Sequence, residues 1–200
     1  MSEDRKQKEE ELKGLMEEDM MRSSAKTRES LSYSMGSDLH EAWRAGRKLE
    51  DGKFEPRMKK TKDEAWIAAH GTNEVDIANC SFAELPADWQ GENLEAAKVA
   101  VDLVFGKVMT NQEITPEMLQ EMSAVVHDEW IKRNDWVLDP QYGDPVLAKP
   151  YAELPESEQV KDTQQLEQAI DKVKAYQRGE ISIEEISAAY GLDTKGEEQK

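Results

Sequence analysis

The sequence predicts a mainly α-helical protein made of two pseudo-symmetric helical repeats packed as one domain, and two internal alignments lead there. Met35-Gly36-Ser37-Asp38-Leu39-His40-Glu41-Ala42-Trp43 lines up with Met122-Ser123-Ala124-Val125-Val126-His127-Asp128-Glu129-Trp130. Farther along, Phe82-Ala83-Glu84-Leu85-Pro86 lines up with Tyr151-Ala152-Glu153-Leu154-Pro155. That second alignment continues without a gap through Ala97/Leu166, Ala100/Ala169, Val101/Ile170 and Val104/Val173. Its matched positions recur at i, i+3, i+4 and i+7, the spacing that gathers apolar side chains on one helical face. Each copy therefore reads as a helix bearing His-x-x-Trp, a variable loop, an aromatic-Ala-Glu-Leu-Pro turn and a long helix.

In chain order, residues 1–30 form a charged arm, helical or disordered. Glu9-Glu10-Glu11 and Glu17-Glu18-Asp19 dominate it, and Leu12, Leu15, Met16, Met20 and Met21 supply a thin apolar stripe. Repeat one follows at 31–108. From His40 to Phe82 is 42 residues, whereas from His127 to Tyr151 is 24, so repeat one carries an insertion. It centres on the basic stretch Lys59–Ile67, and Asp63 to His70 within it reads as a short helix closed by Gly71. Pro86 and Pro155 suit the first turn of the long helices, where a missing N–H costs nothing. Asp88 and Glu156 lie where the helix dipole favours acids. Gly106 is expected to end the first long helix. Thr115 then serves as N-cap and Pro116 as the first helical residue, opening repeat two at 115–178. In 179–200, Ser182 begins a short helix that stops before Gly191, and a charged tail follows. The loops at 50–58 and 134–148 leave room for short hairpin strands, although no strand pattern stands out.

Composition narrows the function classes. The formal net charge is −17 and charged residues make up 34% of the 200-residue chain. A protein that neutralises phosphates along a duplex needs a basic surface, so no nucleic-acid partner is expected, and an anionic membrane surface is disfavoured by the same repulsion. No apolar run approaches a membrane span, no secretory h-region precedes the arm, and Cys80 stands alone. These observations lead to the expectation of a cytoplasmic protein. There is no Gly-x-Ser-x-Gly elbow, Walker loop or His-Glu-x-x-His, so the expectation is a non-enzyme with no metal and no cofactor.

One stretch runs Val126-His127-Asp128-Glu129-Trp130, Asp135-Trp136, Tyr142-Gly143 and Lys149-Pro150-Tyr151-Ala152-Glu153-Leu154-Pro155-Glu156. In that order it resembles the ryanodine-receptor repeat domain, as a bacterial or phage-type member with two diverged copies. The first copy keeps His40, Trp43, Phe82 and Leu85-Pro86 but has the basic insertion in place of the Trp-x-Tyr-Gly portion. Thr61-x-Asp63-Glu64-x-Trp66 and Asp76-Ile77-Ala78-Asn79 also resemble stretches of bacterial members. The resemblance spans roughly residues 35 to 178. It implies two repeats around a cleft that accepts an adenine nucleotide or drug-like molecule near the motif tryptophans, with no enzymatic activity.

The candidate ligand-binding residues follow from these motifs. His40 with Trp43, and His127 with Trp130, share helix faces three residues apart. Two symmetric tryptophans can sandwich a planar base, and they can equally anchor the core, with each histidine satisfying a backbone carbonyl. Arg44, Arg47, Lys48, Lys53, Arg57, Lys59, Lys60 and Lys62 form the basic cluster of an acidic chain, eight positives against Glu41, Glu50, Asp51 and Glu55. Arg44 and Arg47 are the candidates for bidentate phosphate contacts, and Trp136 and Tyr142 complete the set. Three functions stay open, in order: a binding protein for a small nucleotide-like ligand, a protein-interaction or scaffold module that docks a partner through the N-terminal arm, and an unrecognised hydrolase.

Overall fold

The structure is a computed structural model that describes residues 3–192, with side chains from Met20 onward. The apolar stripe expected of Leu12, Leu15 and Met16 and the tail expected from Thr194 lie outside the described side chains and residues. Six helices and one two-stranded antiparallel hairpin make up the described chain. They are α1 (Glu3–Ala45), β1 (Met58–Lys60), α2 (Glu64–His70), β2 (Glu74–Asp76), α3 (Ala87–Met109), α4 (Pro116–Arg133), α5 (Glu156–Gln177) and α6 (Ile183–Tyr190). Among the described residues no helix is long and apolar enough to cross a membrane.

Local chemistry explains most boundaries. Thr115 Oγ1 accepts from the Met118 N–H with Pro116 in the first helical position, and Ser182 accepts from Glu185 N in the same way. Gly191 turns left-handed at φ 64° to end α6. Asp63 caps α2 by accepting from Trp66 N, and Gly71 closes it at φ 69°. Pro86 and Pro155 sit one place earlier than the first turn, as N-caps with φ −56° and −55°. A proline there supplies no capping side chain. In each repeat a glutamine reaches back instead: Gln90 Nε2 donates to the Leu85 carbonyl and Gln159 Nε2 to the Leu154 carbonyl, both at 3.0 Å.

Two boundaries differ from expectation. Gly106 does not end α3, which continues to Met109, because Val108 is buried in the core and holds the last turn in register. Thr110 closes it by donating its hydroxyl to the Gly106 carbonyl at 2.8 Å. The strands flank α2 inside the insertion, Met58 pairing with Asp76 and Lys60 with Glu74. The 50–58 loop has only a Lys48–Phe54 bridge before Met58 starts β1. The 134–148 loop holds a 3₁₀ turn at Asp135–Leu138 and side-chain-capped turns in place of strands. There Asp139 accepts from the N–H of Gln141 and Tyr142, and Asp144 accepts from Val146 and Leu147.

The core sits along α3 and α5. Gln165 Nε2 donates to the Ala96 carbonyl at 2.7 Å, and Gln177 Nε2 to the Val108 carbonyl at 3.1 Å, each bond spanning 69 residues. That span is the repeat offset, so each bond joins a residue to its own counterpart. Two such contacts, at Ala96 and at Val108, require α3 and α5 to run parallel. Ala97, Ala100, Val101 and Val104 of α3 and Leu166, Ala169 and Val173 of α5 are fully buried there. Leu31 and Met35 of α1 and Met122 and Val126 of α4 join the same cluster.

α1 runs unbroken through residue 30, about 64 Å in all. Its second half lies on α3 so closely that a Cβ on Gly36 would meet the Asn93 carbonyl oxygen and Leu94 Cδ2 at 3.2 Å. Ser123, the counterpart of Gly36 in α4, is fully buried and shares its hydroxyl with the Leu119 carbonyl and Thr163 Oγ1. α6 folds back onto α1, where Ser30 and Ser187 hydroxyls meet at 3.0 Å and Tyr190 lies against Tyr33 and Phe82. Lys172 of α5 bonds Ser34 and pairs with Asp38, tying α5 to α1.

Because Leu166 fills the seam between the repeats, Leu166→Ala is expected to cost about 2–5 kcal/mol of stability. Glu167→Ala, one residue along on the exposed face, should change stability by less than about 0.5 kcal/mol. Urea denaturation of both variants checks this; equal, small losses would contradict a core centred on α3 and α5.

Candidate ligand-binding cleft between the repeats

Each His-x-x-Trp motif lies on the last turns of its helix, on α1 and on α4. His40 and His127 are both buried, and their Nε2 atoms donate to the carbonyls of Cys80 and Lys149, each at 2.9 Å. Those carbonyls stand two residues before Phe82 and Tyr151, so each histidine fastens its helix to the turn that launches α3 or α5. A carbonyl only accepts, so Nε2 carries the proton in both rings. Burial lowers the His40 pKa, against the opposing pull of the Cys80 carbonyl, and favours the neutral ring. The histidines are thus positioned by, and spent on, the fold. His40 lines the cleft and His127 does not.

The two copies differ behind the rings. His127 Nδ1 faces Asp162 Oδ2 at 3.5 Å, whereas the counterpart of Asp162 in repeat one is Asn93. Burial pushes the Asp162 carboxyl up to about 6, with His127 opposing the shift.

Each tryptophan stacks on its histidine, Trp43 at 5.8 Å between centroids and Trp130 at 6.1 Å. Both line a cleft of about 920 Å³. Ala96, which meets Gln165 across the α3–α5 seam, forms part of its lining. Trp136 reaches the same space from the 3₁₀ turn after α4, half exposed, its Nε1 donating to Asn134 Oδ1 at 3.3 Å.

The insertion forms the remaining wall. Asp88, in the first turn of α3, accepts from Thr61 Oγ1 at 2.6 Å and from the Lys62 N–H at 2.8 Å. Trp89 Nε1 donates to the Lys60 carbonyl at 3.1 Å, and Asp63 accepts from the Ala87 N–H at 2.8 Å. These bonds staple β1 to the head of α3 and bring Arg57, Lys59, Lys60 and Lys62 to the cleft, which Arg47 and Arg133 also line. Arg47 pairs with the exposed Glu55 at 3.3 Å. Among the described residues Arg57, Lys59, Lys60, Lys62 and Arg133 take part in no ion pair. The buried Nε of Arg133 also has no hydrogen-bond partner. Burial, with the Arg57 charge beside it, lowers the Lys59 pKa.

Three residues expected at the site, His127, Arg44 and Tyr142, do not line the cleft. Arg44 is buried away from the cleft: Nε donates to the Ala78 carbonyl at 2.8 Å, Nη1 bonds both Glu41 oxygens, and the guanidinium lies 4.4 Å from the Phe54 centroid. Its donors are committed to holding the 47–80 segment on α1. Tyr142 is 75% exposed on the turn closed by Asp139 and does not line the cleft. Conversely, Trp89, whose expected role is core or cap packing, and Arg133 both line the cleft. Trp89 has Glu158 as its repeat counterpart, so the internal alignment carried no signal for it.

Among the described residues no group of His, Cys, Asp and Glu is arranged to hold a metal ion. The Cys80 thiol is raised by burial and by the Glu84 and Asp76 carboxylates, so it stays protonated and weakly nucleophilic. No family model, no curated protein and no solved structure matches this chain.

The Asp162 shift has a testable sign. A carboxyl at 3.8 when unfolded and about 6 when folded adds stability below pH 4 that is lost as pH rises through 6. Asp162→Asn, which installs the residue found in repeat one, removes that loss. Its melting temperature should match the parent near pH 4 and exceed it by a growing margin from pH 5 to pH 7. A constant difference across that range would contradict the assignment.

Proposed function

We propose that the chain is a non-enzymatic binding protein that holds a small nucleotide-like molecule in the cleft between its repeats. The observation that carries this reading is the meeting of Trp43, Trp130 and Trp136 with unpaired cations in one cleft of a chain whose net charge is −17. In so acidic a protein, cations left without carboxylate partners mark a place where an outside anion supplies the counter-charge. Aromatic faces there add about 1–3 kcal/mol for a stacked base. Charge-assisted bonds from arginine and lysine suit phosphate oxygens, and about 920 Å³ lies within the range of small-molecule sites. The acidic remainder repels a long polyanion and leaves only a local basic patch, which favours a small molecule over a nucleic acid. This reading agrees with what the resemblance to ryanodine-receptor repeats implies, and we propose that family relationship with it.

A second reading, a protein-interaction module, is favoured by a different feature. Met20 and Met21 stand 67% and 62% exposed on α1, and Met20 edges an apolar groove shared with Phe105, Met109 and Tyr176. Exposed methionines of this kind suit adaptable contacts with a partner helix.

Thermal-shift titration with nucleoside mono-, di- and triphosphates and dinucleotides separates the two. The ligand reading expects a hit worth about 2.7 kcal/mol of stabilisation at one hundred times Kd. Trp130→Ala should abolish it and Met20→Ser with Met21→Ser should leave it intact. No shift across the panel would pass the reading to the protein-interaction module.

A further inference from the structure

The cleft is not symmetric, although the helices that frame it are. On repeat one, the Trp43 ring has His40 one turn before it and the Arg47 guanidinium one turn after it, 4.8 Å from the ring centroid. Trp89 likewise carries Lys59 Nζ 5.6 Å from its centroid, and its own N–H is taken by the Lys60 carbonyl. Cations therefore already stand over the aromatic faces of that wall. On repeat two, the counterpart of Arg47 is Asn134, whose amide donates to the Trp130 carbonyl at 3.1 Å. Among the described residues no cation lies over Trp130 or Trp136. Trp136 is half exposed.

The charges divide the same way. Arg47, Arg57, Lys59, Lys60 and Lys62 line the repeat-one wall, and Arg133 alone lines the other. Of the two acids that line the cleft, Asp88 is committed to Thr61 and the Lys62 N–H, which leaves Glu92. One phosphate carries too little charge to answer four unpaired cations on a short strand and its flanks, whereas a di- or triphosphate spans them.

We infer that the cleft is polarised, repeat two receiving a planar ring on Trp130 and Trp136 and the repeat-one insertion receiving a chain of phosphates, so that its ligand is a nucleotide with at least two phosphates. The inference rests on the reading of the cleft as a nucleotide site and adds the ligand's charge class and orientation. The insertion is what turns a symmetric clamp into a site with two unlike ends.

Calorimetric titration of the full chain with a purine nucleoside, its 5′-mono-, di- and triphosphates, and inorganic tripolyphosphate tests it. Affinity should rise at least tenfold from mono- to triphosphate. The double variant Lys59→Ala, Lys60→Ala should flatten that rise while leaving the affinity for the unphosphorylated nucleoside within about twofold. Trp130→Ala, or Trp136→Ala where the first variant folds poorly, should weaken every nucleotide tenfold or more and leave tripolyphosphate affinity unchanged. If nucleotides bind without regard to phosphate number, or if the tryptophan and lysine variants weaken nucleotides and tripolyphosphate alike, the polarity is wrong and the nucleotide site survives. If no nucleotide binds, the nucleotide site itself falls and the polarity with it.

Discussion

Everything in this molecule hangs on the contact between α3 and α5. The two helices lie parallel with repeat-equivalent residues touching, and the small side chains of Ala97, Ala100 and Ala169 allow them to approach closely. Once that seam is fixed, whatever packs on α3 in repeat one packs on α5 in repeat two. The buried His40 and His127 then fasten α1 and α4 to equivalent carbonyls at equal distances. Trp43 and Trp130, three residues on, are both carried to one cleft. No residue of the cleft needs to be specified independently of the core for this to happen.

Function enters where the symmetry is broken. Gly36 lets α1 press onto α3, where Ser123 in α4 instead joins a hydroxyl network with Thr163 and Tyr151. Arg47 becomes Asn134, which frees the Trp130 ring from a covering guanidinium. The largest departure is the insertion, whose hairpin is held to the head of α3 by Asp88, Trp89 and Asp63 and by a small second core of Val75, Ile77, Phe82 and Leu85. That attachment delivers a row of cations beside the aromatics.

Much of this was legible in the sequence because it rested on short-range rules. Thr115, Ser182, Gly71 and Gly191 mark helix ends through capping and left-handed turns, and the offset between Phe82 and Tyr151 exposes the two long helices. What stayed hidden depended on long-range contacts. Arg44 resembled Arg47 in sequence, yet Ala78, 34 residues away, claims its guanidinium. Trp89 has an unlike repeat counterpart, Glu158, and its place at the cleft follows from a bond to Lys60 that only the folded insertion creates. Gly106 reads locally as a helix end, but burial of Val108 outweighs that local preference. The strands of three residues each carry too little alternation to be seen.

The proposed function requires one cleft that gathers tryptophans from both repeats around a ligand. Indole ¹⁵N–¹H spectra, with each tryptophan assigned by substitution, test this directly during titration with a nucleoside triphosphate. The account predicts that the resonances of Trp43, Trp130 and Trp136 move together along one binding curve. Trp66, which stacks on His70 outside the cleft, stays in place. If Trp66 moved with the others, or if Trp43 and Trp130 gave separate curves, the two repeats would not be sharing a single site.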